Sequence, residues 1–188
     1  MERRELLKMI ALVTGSAFIG GEFLLSGCTN EPSISGSTFS EADITFLDEV
    51  GETILPKTTS PGAKDAAIGT FMTVMVNDCY DKKDQEIFHD GIKKLDEASK
   101  KANNTSFLKA TPEQRTSLLT TLDKEAKDYQ KDKKKEDPNH YFTMVKQLTL
   151  FGFFTSKPGA TQALRHNPVP GKYDGNYAYK KGDKAWAE

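Results

Sequence analysis

Hydrophobic positions recur at helical spacing along most of the chain. Ser40 is a capping residue, Asp43 stands at the third helical position where a carboxylate can reach back, and Phe39 and Ile44 are placed as a hydrophobic staple. Ile44, Leu47, Gly51, Ile54 and Leu55 then mark an inner face until Pro56 ends the helix. A polar loop over residues 57–62 leads to Ile68, Phe71, Met72, Met75, Val76 and Cys79, a stripe wide enough to enter a core, with Cys79 read as a small core residue. From Asp84 a third helix carries Ile87, Phe88, Gly91, Ile92, Leu95 and Ala98 inward and stops near Asn103-Asn104. Thr111-Pro112-Glu113-Gln114 is a strong start signal, with a capping Thr, Pro at the first helical position and Gln reaching back. Leu118, Leu119, Leu122, Ala126 and Tyr129 form the inner face that follows. The lysines of 127–135, interleaved with Asp128 and Asp132, read as a solvated helix end. Pro138 breaks the chain, and 140–154 reads as a last long helix with Phe142, Val145, Leu148 and Phe151 inward. No strand alternation of useful length appears. The pattern predicts an all-α single domain of five to six helices over residues 39–166.

Beyond that domain the character changes. Residues 155–159 read as a turn, 160–165 as a short helix, and from 167 to 188 prolines and glycines recur every few residues. Tyr173, Tyr177, Tyr179 and Trp186 are spaced along a tail that cannot build its own core. Two readings stay open. The tail is a strap folded back over its own helices, or an arm whose aromatics dock on a partner.

The first residues belong to targeting and not to the fold. Arg3 and Arg4 precede Leu6-Leu7-Lys8, an order similar to the twin-arginine export signal, which is a receptor-read address. An apolar stretch from Met9 to Leu25 follows, about 17 residues and so at the lower limit for a spanning helix, weakened by Gly15, Gly20, Gly21 and Glu22. It closes on Leu25-Ser26-Gly27-Cys28, which resembles the lipobox of bacterial lipoproteins. Small residues let the signal peptidase take the chain extended, and the thiolate of Cys28 receives the diacylglyceryl group. Residues 1–27 therefore read as a signal peptide, Cys28 as the lipidation site, and 28–38 as a polar tether. The expected location is the bacterial cell envelope, lipid-anchored to the membrane and facing the periplasm or cell exterior.

Composition narrows the chemistry. The 188 residues carry 26 Lys and Arg against 27 Asp and Glu, a formal charge of −1 that disfavours general nucleic-acid binding. The absence of Cys-x-x-Cys-His removes covalently held haem, and no Gly-x-Gly-x-x-Gly follows a strand, so a nicotinamide or flavin fold is not expected in this chain. His89, His140 and His166 lie far apart and read as surface or capping histidines. No carboxylate pair is set apart as an acid/base dyad. No catalytic, cofactor-binding or metal residue is assigned. A folded-export signal on such a chain implies that the cofactor belongs to a passenger.

The segment Ile54-Leu55-Pro56-Lys57-Thr58…Pro61-Gly62-Ala63 resembles the N-terminal motif of the gluconate 2-dehydrogenase subunit 3 family. The run Leu148-Thr-Leu-Phe-Gly-Phe-Phe-Thr-Ser156…Gly159, then Pro168-Val-Pro-Gly171…Tyr173-Asp174-Gly175, is similar to its C-terminal motif, and Gln114-Arg115 matches a further pair. The resemblance covers about residues 39–177. It implies a non-catalytic small subunit that travels with an FAD-bearing catalytic subunit of the glucose-methanol-choline class, which oxidises gluconate or related sugars and often passes electrons to a cytochrome c subunit. The lipobox departs from the simplest picture of the family and suggests that this member supplies the membrane attachment. Phe153, Phe154, Tyr173 and Tyr177, with Phe151 beside them, are the expected partner contact; the alternative is that the phenylalanines close the domain's own core, which is the reading preferred for Phe151. A free-standing envelope lipoprotein with a ligand-binding or scaffolding role is the alternative.

Overall fold

The structure is a computed structural model that describes residues 39–187, all within the compact unit Glu31–Glu188. Cys28, Arg3, Arg4 and the tether lie outside the described residues. Five α-helices follow one another among the described residues: α1 (Glu41–Ile54), α2 (Ile68–Cys79), α3 (Lys82–Asn103), α4 (Pro112–Asp132) and α5 (Tyr141–Thr155). The all-α expectation holds. The small exception is a pair of two-residue strands, β1 (Arg165–His166) and β2 (Trp186–Ala187), which pair in parallel.

The helix starts are local sequence events. Ser40 Oγ accepts from the Asp43 amide while the Asp43 carboxylate accepts from the Ser40 amide at 2.8 Å. Thr111 and Gln114 form the same reciprocal box at α4. Asp81 caps α3 by accepting from the Asp84 amide, and His140 Nδ1 caps α5 by accepting from the Phe142 amide. Each box satisfies donors that a helix start otherwise leaves unpaired. At the other end of α3, Asn104 takes the left-handed conformation with φ 54°, as Asn tolerates better than most residues.

Helix α5 sits at the centre, in contact with all four other helices. That position explains why it is apolar on nearly every side and why its period is hard to read. Leu148, Thr149, Gly152 and Phe153 face inward, whereas Phe151 is 54% exposed. The inward setting expected of Phe151 belongs instead to Phe153. Its one charge, Lys146, reaches Asp123 of α4 at 2.5 Å. Phe46, Phe88, Phe107 and Phe142 form the fully buried aromatic centre.

Several local expectations are corrected. The inner face of α1 is Asp43, Phe46, Leu47, Val50 and Gly51, rotated from the Ile44–Ile54 stripe because α2 and the turn at Phe107 approach from that side. Phe39 packs on α3, stacked on His89 at 4.2 Å and edge-on to Phe88. His89 is therefore buried under that ring and not on the surface. Cys79, at the last turn of α2, is exposed with its Sγ toward Met75 Sδ. Tyr129 is also exposed, held by a hydroxyl bond to the Pro138 carbonyl at 2.9 Å.

Candidate functional site

The motif at the end of α1 is a hydrogen-bonded knot. The Glu52 carboxylate accepts from the amides of Lys57 (2.8 Å) and Lys64 (2.9 Å), so one side chain holds both ends of the loop. Asp65 accepts from the Gly62 amide and pairs with Lys57 Nζ at 3.0 Å. These partners, the Lys57 ammonium first, hold the Asp65 carboxyl below its ordinary range. Asp48 Oδ1 receives the Gly69 amide at 2.7 Å, fixing the start of α2 on α1. Burial nevertheless pushes the Asp48 carboxyl up, against the lowering effect of that bond.

Arg115 of the Gln114-Arg115 pair is a rivet. Its Nη1 meets Glu49 of α1 at 2.6 Å, Nε donates to the Phe107 carbonyl at 2.9 Å, and Nη2 donates to the Leu108 carbonyl at 2.5 Å. The guanidinium also lies 5.4 Å from the Phe107 ring centre. Glu49 takes Lys64 as a second cation, so its carboxylate joins the knot to Arg115 at the α4 start, and Arg115 in turn holds the 107–109 turn. A planar fork with five donors suits this junction in a way an ammonium does not. Gln114 is consumed by the cap.

The C-terminal motif ties off α5. Ser156 Oγ donates to the Phe153 carbonyl at 2.6 Å and accepts from the Gly159 amide at 3.1 Å. A Cβ at Gly159 would overlap the Phe153 backbone, which is why glycine stands there. Gly152 is closely packed: Phe71 of α2 lies against it, and a Cβ would overlap that ring. The two motifs converge on an open groove of ≈ 400 Å³ whose walls include Lys57, Thr58, Ser60, Lys157 and Gln162. Residues far apart in sequence thus meet, largely in structural duty.

The side chains left facing outward are apolar. Phe151 is 54% and Phe154 40% exposed, one helical turn apart, and the Phe71 ring lies 5.9 Å from Phe151. Val74, one turn on from Phe71, is also exposed. Phe153 is 4% exposed and supports Phe154 from below at 5.2 Å, so it is unavailable on the surface. Tyr173 and Tyr177 lie on a different element, where they line a groove with Trp186. Among the described residues no ring contact joins them to Phe153 or Phe154.

Reading the sequence missed Arg165. It stacks 3.7 Å from the Trp186 ring centre and 5.7 Å from that of Tyr177, and its backbone amide donates to Ala185. Residues 167–185 are thereby closed into a loop at their root, and every residue from Pro168 to Trp186 is exposed. The tail is neither a strap over the helices nor a free end. Among the described residues no group of three or more His, Cys, Asp or Glu side chains could hold a metal ion. Nor is any described helix long and apolar enough to cross a membrane.

The described residues form a helical body with exposed apolar side chains and an exposed aromatic arm. Residues 41–171 match the family model described as gluconate 2-dehydrogenase subunit 3, and the chain belongs to that family. The match spans all five helices and ends within the arm. The family name makes its members a subunit of a multi-subunit dehydrogenase. Neither the curated proteins nor the solved structures gave a significant match.

Proposed function

We propose that this chain is the non-catalytic small subunit of a gluconate 2-dehydrogenase-like complex, escorting an FAD-bearing catalytic subunit of the glucose-methanol-choline class and anchoring it at the membrane. The observation that carries this reading is the family match over 41–171. The exposed Val74, Phe151 and Phe154, backed by the half-buried Phe71 ring against Phe151, support it as the contact face, because a few aromatic anchors commonly dominate such interfaces. The flavin belongs to the partner, and a cytochrome c subunit would take its electrons. Acylation of Cys28 would hold the pair at the envelope surface, and Arg3 and Arg4 would direct export of the folded pair.

The test is purification of the tagged protein from membranes, with the absorbance of bound flavin as the readout. A flavoprotein should accompany the wild-type chain and be lost progressively from Phe154→Ala, whose helical content stays unchanged. Replacing Arg3 and Arg4 by Lys should strand dehydrogenase activity in the cytoplasm, and Cys28→Ser should abolish lipid labelling. Normal arrival of that activity at the envelope in a strain lacking this chain would overturn the reading.

A further inference from the structure

The arm differs from the helical body in charge as well as exposure. From residue 165 to the end, Arg165, Lys172, Lys180, Lys181 and Lys184 stand against Asp174, Asp183 and Glu188, a surplus of two positive side chains. Residues 39–156 carry the opposite excess, with three more acidic than basic side chains. On the arm Tyr173 is 95%, Val169 77%, Tyr179 75%, Tyr177 54% and Trp186 43% exposed. Lys172, Tyr173, Tyr177 and Trp186 converge on one open groove of ≈ 670 Å³. Asp183 accepts from the Lys180 amide at 3.0 Å and Lys184 Nζ donates to the Gln162 carbonyl, so Lys172, Lys180 and Lys181 are the cations that reach into solvent.

This set of residues points to one kind of surface. Tyr and Trp place an apolar ring beside a polar edge, and Lys extends an aliphatic stem to a charged head, which is the combination that settles at the boundary between lipid chains and headgroups. Protein interfaces are depleted in Lys and favour Arg, and the only arginine here is occupied beneath Trp186. We infer that the C-terminal arm, residues 167–186, is a peripheral membrane-binding element that lies on an anionic lipid surface, with Lys172, Lys180 and Lys181 over the headgroups and Tyr173, Tyr179 and Trp186 at their level. The contact is separate from acylation of Cys28 and does not need it.

Because the core lies within the compact unit Glu31–Glu188, the chain from Thr29 onward is a suitable unlipidated test protein, its helical content checked by circular dichroism. Trp186 is the only tryptophan, so its emission reports on the arm alone. With vesicles of phosphatidylglycerol and phosphatidylcholine at low salt, emission should shift to the blue, be quenched by brominated acyl chains, and return as salt is raised. Pure phosphatidylcholine should give little response. Replacing Lys172, Lys180 and Lys181 together by Gln should weaken partitioning about 100-fold, at roughly fivefold per lysine. The matched change of Lys131, Lys134 and Lys135 in the other lysine-rich segment should have little effect. Equal binding by wild type and the arm variant overturns the inference, as does loss confined to the 131–135 variant. So does an arm that leaves vesicles untouched but is needed to retain the flavoprotein, which would make it a protein-docking element.

Discussion

Aromatic side chains are handled in opposite ways in the helical body and the C-terminal arm. In the body Phe46, Phe88 and Phe107 have no exposed surface, and each is enclosed by several helices or turns. In the arm Tyr173 and Tyr179 stand mostly in solvent, and Trp186 is fixed by the Arg165 guanidinium, the edge of Tyr177 and a two-residue strand pair. The same residue class therefore supplies stability in one region and accessible surface in the other. Local contact density separates these roles: a ring with many apolar neighbours contributes to global unfolding, whereas one held by few partners contributes mostly to local order.

This contrast can be broken most directly in the body. Phe88→Ala should lower the unfolding free energy by about 3–5 kcal/mol, read from denaturant titration, because it opens a cavity where α3 meets Phe39. Arg115→Ala should follow at about 2–3 kcal/mol, since two carbonyls and Glu49 lose a charged donor in a partly buried setting. Arg115→Lys should recover only part of that loss.

The next effect is one of pH. Burial, opposed by Asp43, lowers the His89 pKa below its usual 6.5, so the unfolded chain binds the proton more readily than the folded one. The His89 contribution is present above 6.5 and is lost as pH falls through the lower folded value; His140, also lowered by burial, acts in the same direction. Melting temperature should decline on acidification from neutral pH, and His89→Leu should flatten the decline. A wild type whose melting temperature is constant through that window would contradict the buried, unpaired setting of the imidazole.

The smallest global effect should come from the arm. Arg165→Ala removes a half-buried stacking interaction worth about 1–2 kcal/mol locally, and because the arm is held apart from the core it should leave the cooperative unfolding midpoint nearly unchanged. Limited proteolysis should instead cut between residues 167 and 185 faster than in wild type. A large drop in global stability would show that the arm belongs to the body after all.

How much of this was legible in the chain depends on whether a feature is local. The capping boxes at Ser40 and Thr111 involve residues three apart, and both stand where the sequence puts them. Helix α3 has a clear polar face, so Phe88, Ile92 and Leu95 were readable as core. In α5 the run Phe151-Gly-Phe-Phe154 is apolar at successive positions, and spacing alone could not choose Phe153 over Phe151; the choice is made by Phe71 pressing on Gly152. Arg115 was visible only as half of a motif pair, because its role depends on Glu49, 66 positions away. The cation stack at Arg165 likewise needs Trp186 to return to it, and nothing in local spacing signals that return.

The strand pair at the arm's root fixes the two ends of an excursion whose middle contacts almost nothing. The entropy lost on closing a flexible loop grows only with the logarithm of its length, and doubling the length costs about 0.6 kcal/mol. The exposed turn at Gly182, where φ is 97° and a Cβ would meet open space, is therefore a tolerant insertion point. A reporter peptide placed there should leave the helices intact, whereas the same insertion in the Glu52–Lys64 knot would cut hydrogen bonds that determine how α1 leads into α2. Beyond the Pro168–Gly175 motif, the rest of the arm can change length almost independently of the scaffold, because no contact between the five helices depends on it.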